Sequence, residues 1–98
     1  MNQYRDASDR LTFDFPDIES NQYKEITNFL TEYFNLVPIG ELKEGLDEMF
    51  QDYKFNDSII GLEWDNWSGY IVCARNKESE SLATQIANFT HEKYTSNT

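Results

Sequence analysis

The chain has 98 residues, about one small domain, so its length argues against a two-domain enzyme. Its 8 basic and 18 acidic residues give a net charge of −10, which argues against nucleic acids and anionic membranes as partners and favours a basic protein. With 39% hydrophobic and 15% aromatic residues, it can close a core without disulfides or metal.

The two ends of the chain are polar and lack hydrophobic periodicity. We therefore predict a single domain over residues 11–94, with flexible ends at residues 1–10 and 95–98. Apolar and polar residues alternate over residues 11–15, which predicts a half-buried strand, and Pro16 ends its pairing.

Two amphipathic helices are predicted next. The first begins after Ser20 and ends before Pro38, because apolar residues recur there at spacings of three and four. Its stripe consists of Tyr23, Ile26, Leu30, Tyr33, Phe34 and Val37. The second helix is entered through Ile39 and Gly40 and is weakened by Gly45. Its stripe consists of Leu42, Leu46, Met49, Phe50 and Tyr53.

The last third of the chain predicts a hairpin and a helix. Residues 58–64 and 70–75 are rich in β-branched and aromatic residues, and the turn formers between them predict a β-hairpin. Capping residues at 76–79 precede a last helix with an apolar line at Leu82, Ile86 and Phe89. The predicted fold is α+β in the order β-α-α-β-β-α. Its small, mostly antiparallel sheet has three strands, the first and last helices pack on one face, and the middle helix flanks an edge.

No motif in the sequence supports catalysis. His91 falls in the last turn of the final helix, where a histidine interacts favourably with the helix dipole. Cys73 lies in a strand, and the sequence has no second cysteine to pair with it. There is no glycine-rich loop, nucleophile elbow or metal-binding motif. We therefore expect a non-enzymatic protein without cofactor or metal. A lone cysteine and the absence of a signal peptide favour a cytoplasmic setting.

Acidic residues concentrate in the predicted middle helix. At about 100° per residue, its carboxylates share one face, opposite the apolar stripe. These are Glu41, Glu44, Glu48 and Asp52. The face includes like-charge pairs four residues apart, which stability alone would not choose. It is either a binding surface for a basic partner or the ordinary solvated face of an acidic protein.

The hairpin adds candidate aromatic anchors. Trp64 shares a strand face with apolar neighbours and is predicted to be in the core. Trp67 falls in the turn, where it either anchors an interface or folds back over the sheet. The candidate partner-binding set therefore also includes Glu63, Asp65, Trp67 and Tyr70.

The stretch Gly61-Leu62-Glu63-Trp64-Asp65-Asn66-Trp67-Ser68-Gly69-Tyr70, in a small acidic α+β chain, resembles the immunity proteins of bacterial toxin systems, including contact-dependent growth inhibition. The resemblance implies a cytoplasmic inhibitor that binds a cognate toxin domain, commonly a nuclease, and covers its active site or substrate surface. It assigns no residue roles, because immunity families differ in fold.

Two alternatives remain open at the level of sequence. One is a nucleic-acid-mimicking inhibitor of a phage-defence complex, which would use the same acidic face. The other is a homodimeric structural or adaptor protein. It would associate through aromatic residues of the first helix, namely Tyr23, Phe29, Tyr33 and Phe34.

Overall fold

A computed structural model describes residues 1–95, which form six strands and two α-helices. In chain order these are β1 (Asn2–Arg5), β2 (Leu11–Phe15), α1 (Tyr23–Tyr33), β3 (Val37–Glu44), β4 (Glu48–Phe55), β5 (Ser58–Asp65), β6 (Gly69–Ala74) and α2 (Glu80–Thr90). Short 3₁₀ turns at Ser20–Gln22 and Lys77–Ser79 lead into the helices, and a π-helical turn at His91–Thr95 follows α2. Residues 96–98 of the predicted flexible C-terminus lie outside the described residues.

The strands form one six-stranded antiparallel sheet in the order β1-β2-β6-β5-β4-β3. Strands β3 to β6 are consecutive hairpins, and β2 pairs with β6 from the other side. Helix α1 connects β2 to β3, and among the described residues β1 and β3 are the edge strands of the sheet.

Both helices pack on one face of the sheet, called here the inner face. Ile26 and Leu30 of α1 and Ile86 of α2 are wholly buried against it. The strand residues of this core are Phe13, Phe15, Tyr53, Ile60, Leu62, Tyr70, Val72 and Ala74. They alternate along each strand with residues on the opposite, outer face. Within residues 1–95, no helix packs on the outer face, so its side chains form a surface of the molecule.

The predicted three-stranded sheet and the order β-α-α-β-β-α are wrong, and the main error is the middle helix. Residues 37–55 form the hairpin of β3 and β4 instead. Met49 and Tyr53 are four residues apart, a spacing that repeats on one face of a strand as well as of a helix. Gly45 lies in the connecting turn, and Gly40 has a φ of +72° where β3 is irregular. Both glycines suit a bent hairpin better than a helix.

A second error concerns the N-terminus. The segment predicted as a flexible end contains β1, which pairs with β2 in register from Asn2 opposite Asp14 to Arg5 opposite Leu11. The Asp6 carboxylate closes the intervening turn by accepting hydrogen bonds from the backbone N–H groups of Ser8 and Arg10, both at 2.9 Å. Polar hydrogen bonds in the turn therefore hold β1 beside β2, which is why the sequence shows no apolar periodicity there.

The remaining element predictions are confirmed. Strand β2, the hairpin of β5 and β6, and helices α1 and α2 occur where the patterns place them, although α1 ends at Tyr33. Strand β2 joins the hairpin, as expected. The α+β class and the packing of both helices on one face therefore hold, within a larger sheet.

Candidate interaction surface

The outer face of the sheet forms a polar concave surface. It contains an open cavity of about 590 Å³ between the turn that joins β1 to β2 and strand β4. Three cross-strand rows build it, and each row joins residues from neighbouring strands. The first row consists of Thr12, Cys73, Gly61 and Asp52. The second consists of Asp14, Ile71, Glu63 and Phe50. The third joins Asp65 to Glu48. Carboxylates of β2, β4 and β5 therefore meet on one surface.

Arg75 lies at the centre of this surface and binds two of the carboxylates. Its Nε donates to Asp52 Oδ1 at 2.9 Å, and its Nη2 donates to Glu63 Oε2. Burial disfavours its charge, but Glu63 and Asp52 outweigh that effect and raise the pKa of the guanidinium. The guanidinium lies directly over Gly61, which has no side chain, and a Cβ there would be 2.5 Å from the guanidinium carbon.

The other carboxylates of the outer face repel one another. Glu48 and Asp65 are directly opposite across β4 and β5, an arrangement that destabilises a sheet. Burial raises the pKa of Asp14, a hydrogen bond of 3.1 Å from the Tyr4 hydroxyl opposes that shift, and the charges of Asp65 and Glu63 raise it further. Burial is the largest of these effects on Asp14, and the neighbouring carboxylates act in the same direction.

The predicted carboxylates divide between the two faces of the sheet. Glu41 and Glu44 lie on β3 rather than on a helix, and Glu44 pairs with Lys24 of α1 at 3.4 Å. Glu48 and Asp52 do share a face, because residues four apart point the same way along a strand. Glu63 and Asp65 of β5 join them on the outer face. The single acidic helix face that the sequence predicted does not exist.

The two aromatic anchor candidates have opposite positions. Trp67 is 82% exposed in the turn between β5 and β6, so it does not fold back over the sheet. Tyr70 is 0% exposed, and its hydroxyl lies 2.6 Å from the hydroxyl of Thr27 in α1. Tyr70 is therefore part of the core and not of a contact surface. Trp64, which was predicted to be in the core, is half-buried and packs against the core, and its Nε1 donates to the carbonyl of Ile18 at 2.9 Å.

Sequence reasoning missed three residues of this region. Asp14 alternates with buried phenylalanines, so its side chain could have been placed on the outer face from the sequence. Arg75 gave no signal, because its role depends on strands β4 and β5 lying beside β6. Leu46, predicted for a helix stripe, is 102% exposed in the turn between β3 and β4.

The helix side of the molecule carries a separate aromatic cluster. Phe29 and Tyr33 of α1 are exposed and stack against Phe89 of α2, with ring centroids 5.8 and 4.5 Å from Phe89. Lys93 Nζ lies 4.4 Å from the centroid of Phe29. Tyr23, a member of the predicted dimer stripe, is buried in the core.

The nucleophile and base candidates have ordinary structural roles. Cys73 is buried, and that burial raises the pKa of its thiol. His91 Nδ1 is 2.8 Å from the Thr95 hydroxyl. Within residues 1–95, no three His, Cys, Asp or Glu side chains are grouped as a metal site would need.

Comparisons with known proteins add no relative. No protein-family model matches the chain, and neither the curated proteins nor the solved structures gave a significant match. Over the part of the chain that the structure describes, no helix combines the length and the apolar character needed to cross a membrane.

Proposed function

We propose that the chain is a protein-binding inhibitor that covers the cationic surface of a basic partner with its outer face. The observation that supports this most directly is the opposition of Glu48 and Asp65 across two strands, beside Asp14. Like charges directly opposite across two strands weaken a sheet, and among residues 1–95 no cation pairs with either carboxylate, although Asp65 also caps its turn. A partner that supplies the cation would relieve the repulsion on binding.

The partner we propose is a toxin domain with nuclease activity, which would make the chain its immunity protein, acting in the cytoplasm. A nuclease presents Lys and Arg to the phosphates of its substrate. An anionic inhibitor would be steered to that surface at up to about 10⁸–10⁹ M⁻¹s⁻¹ at low salt and would then exclude the substrate. The chain itself needs no catalytic group for this mechanism.

The test begins with capture of the tagged protein's partner from lysate of its source, at about 50 and 200 mM salt. We expect a basic nuclease domain, less of it at the higher salt, and inhibition of its nuclease activity at equal molar amounts. Recovery of a phage-defence complex instead would favour the nucleic-acid mimic. Recovery of the protein alone would contradict both inhibitor proposals and favour the homodimer.

Charge variants then locate the interface on the recovered partner. We expect Glu48→Lys with Asp14→Asn to slow association by about tenfold or more. The control, Glu32→Lys with Glu25→Gln, changes the net charge equally but acts on exposed residues of α1. It should change the rate far less. Equal effects of the two variants would show that net charge acts without a specific surface.

A further inference from the structure

Two hairpin turns lie side by side at one end of the sheet, and each exposes a large apolar side chain. Leu46 is 102% exposed in the turn of residues 45–47, and Trp67 is 82% exposed in the turn of residues 66–68. We call these two turns the double tip. A tryptophan this exposed is uncommon, because Trp is highly buried on average.

Hydrogen bonds join the two turns to each other. The side-chain amide of Asn66 donates to Asp47 Oδ1 at 2.6 Å, and the backbone N–H of Asn66 donates to the Asp47 carbonyl at 3.2 Å. Leu46 and Trp67, which flank these two residues in sequence, are therefore held on adjacent loops. Both side chains are exposed to solvent at the same end of the sheet.

Each turn is also fixed from within. Asp65 Oδ1 accepts hydrogen bonds from the backbone N–H groups of Trp67 at 2.9 Å and Ser68 at 2.6 Å. In the other turn, the N–H of Gly45 donates to the carbonyl of Glu48 at 2.8 Å. The exposed side chains are thus carried on ordered backbone, so little conformational entropy of the loops is lost when they are covered.

The charges around the double tip indicate what would cover it. Glu48 and Asp65 lie at its base, where β4 and β5 meet the turns, and Asp47 lies within it. A second copy of this chain would bring the same negative charges together. A cationic surface with an apolar recess would instead match both the charges and the exposed side chains.

We propose that the double tip is the apolar anchor of the inhibitor interface, and that it inserts into an apolar recess flanked by Lys and Arg on the partner. This inference rests on the proposed function and adds a second contact to it. The outer-face carboxylates set the association rate, and Leu46 with Trp67 set the dissociation rate and the preference for an apolar recess.

Two labelled synthetic peptides of about ten residues, equal in length and charge, separate these contributions. One alternates Lys with Leu and the other alternates Lys with Ser, and fluorescence anisotropy measures their dissociation constants. We expect the native chain to bind the Lys–Leu peptide about tenfold more tightly, equivalent to burial of about one apolar side chain. Equal affinity for the two peptides would overturn the anchor and leave the proposed function standing.

Two variants test whether a preference for the Lys–Leu peptide depends on the double tip. Leu46→Ser with Trp67→Ser should remove the preference while changing affinity for the Lys–Ser peptide less than about twofold. Val37→Ser, which alters another exposed apolar side chain on β3, should keep it. A preference that survives the double substitution would overturn the inference. Failure of the native chain to bind either peptide would instead contradict the attraction to cationic surfaces on which the proposed function rests.

Discussion

At the scale of single residues, Arg75 organises the outer face. Its side chain is 18% exposed and binds Asp52 and Glu63, which come from two different strands. A half-buried cation between two carboxylates stabilises by hydrogen bonding as well as by charge, and such pairs are screened less by salt than exposed ones. Gly61 leaves the space that this arrangement needs.

Replacement of Arg75 should therefore destabilise the fold measurably. We expect Arg75→Gln to lower the free energy of unfolding by roughly 1–3 kcal/mol, because two neighbouring carboxylates lose their cation and partial exposure limits the loss. Arg10→Gln is a suitable control, since Arg10 pairs with one carboxylate, Asp6, in a more exposed position. It should cost less than about 1 kcal/mol. Urea unfolding measures both, and similar losses would contradict a central role for Arg75.

At the scale of elements, the turn into β6 depends on a glycine. Gly69 has a φ of +73°, and a Cβ on it would overlap the carbonyl oxygen of Phe15, where β2 pairs with β6 through a bulge. Gly45 lies in the turn between β3 and β4, and the atoms nearest to its Cβ position are 3.7 Å away. The two glycines have similar sequence settings but different structural requirements.

The corresponding substitutions should differ strongly. We expect Gly69→Ala to lower the free energy of unfolding by about 2–4 kcal/mol, because the backbone conformation and the contact with β2 both oppose a side chain. Gly45→Ala should change it by less than about 0.5 kcal/mol. Thermal unfolding of the two variants compares them directly. A loss at Gly45 as large as that at Gly69 would disprove this account of the turns.

Elements with one dominant period could be predicted from the sequence, whereas those with an ambiguous period could not. The hairpin of β5 and β6 has β-branched runs on both sides of a clear turn. Strand β4 has apolar residues four apart, which suits both a helix and a strand. The pair Asn56-Asp57, between Phe55 and Ser58, was the sequence signal that could have identified the hairpin of β4 and β5. Asn tolerates a positive φ in two-residue turns, and Asn56 has a φ of +52°.

The candidate site was predictable to a similar, limited extent. Glu48 and Asp52 were predicted to share a helix face. They do share a face, but it is a face of strand β4, where residues an even number of positions apart lie on the same side. The burial of Tyr70 depends on α1 lying over β6, and the neighbours of Arg75 depend on strand order, so neither follows from a local pattern. The position of Trp67 in a turn left two orientations open, and the structure has the exposed one.

At the scale of the whole molecule, the two faces of the sheet differ in what covers them. The inner face and helices close an apolar core, while the outer face gathers carboxylates around Arg75, and Arg10 lines the same surface. With a net charge of −10, the folded chain repels itself, and unfolding separates those charges. Stability and binding therefore respond to salt in opposite directions, since screening relieves the repulsion and also weakens attraction to a cationic partner.

We accordingly expect the melting temperature to rise by about 2–6 °C between about 20 and 500 mM KCl, equivalent to relief of up to roughly 1 kcal/mol of repulsion. The rise should be smaller in the variant Glu48→Lys with Asp14→Asn, which removes repulsion from the outer face. It should be closer to native in the variant Glu32→Lys with Glu25→Gln, which has the same net charge. Scanning calorimetry at neutral pH gives the three values. A melting temperature that falls with salt would show that ion pairs such as those of Arg75 outweigh the repulsion, and the outer face would then be stabilised without a partner.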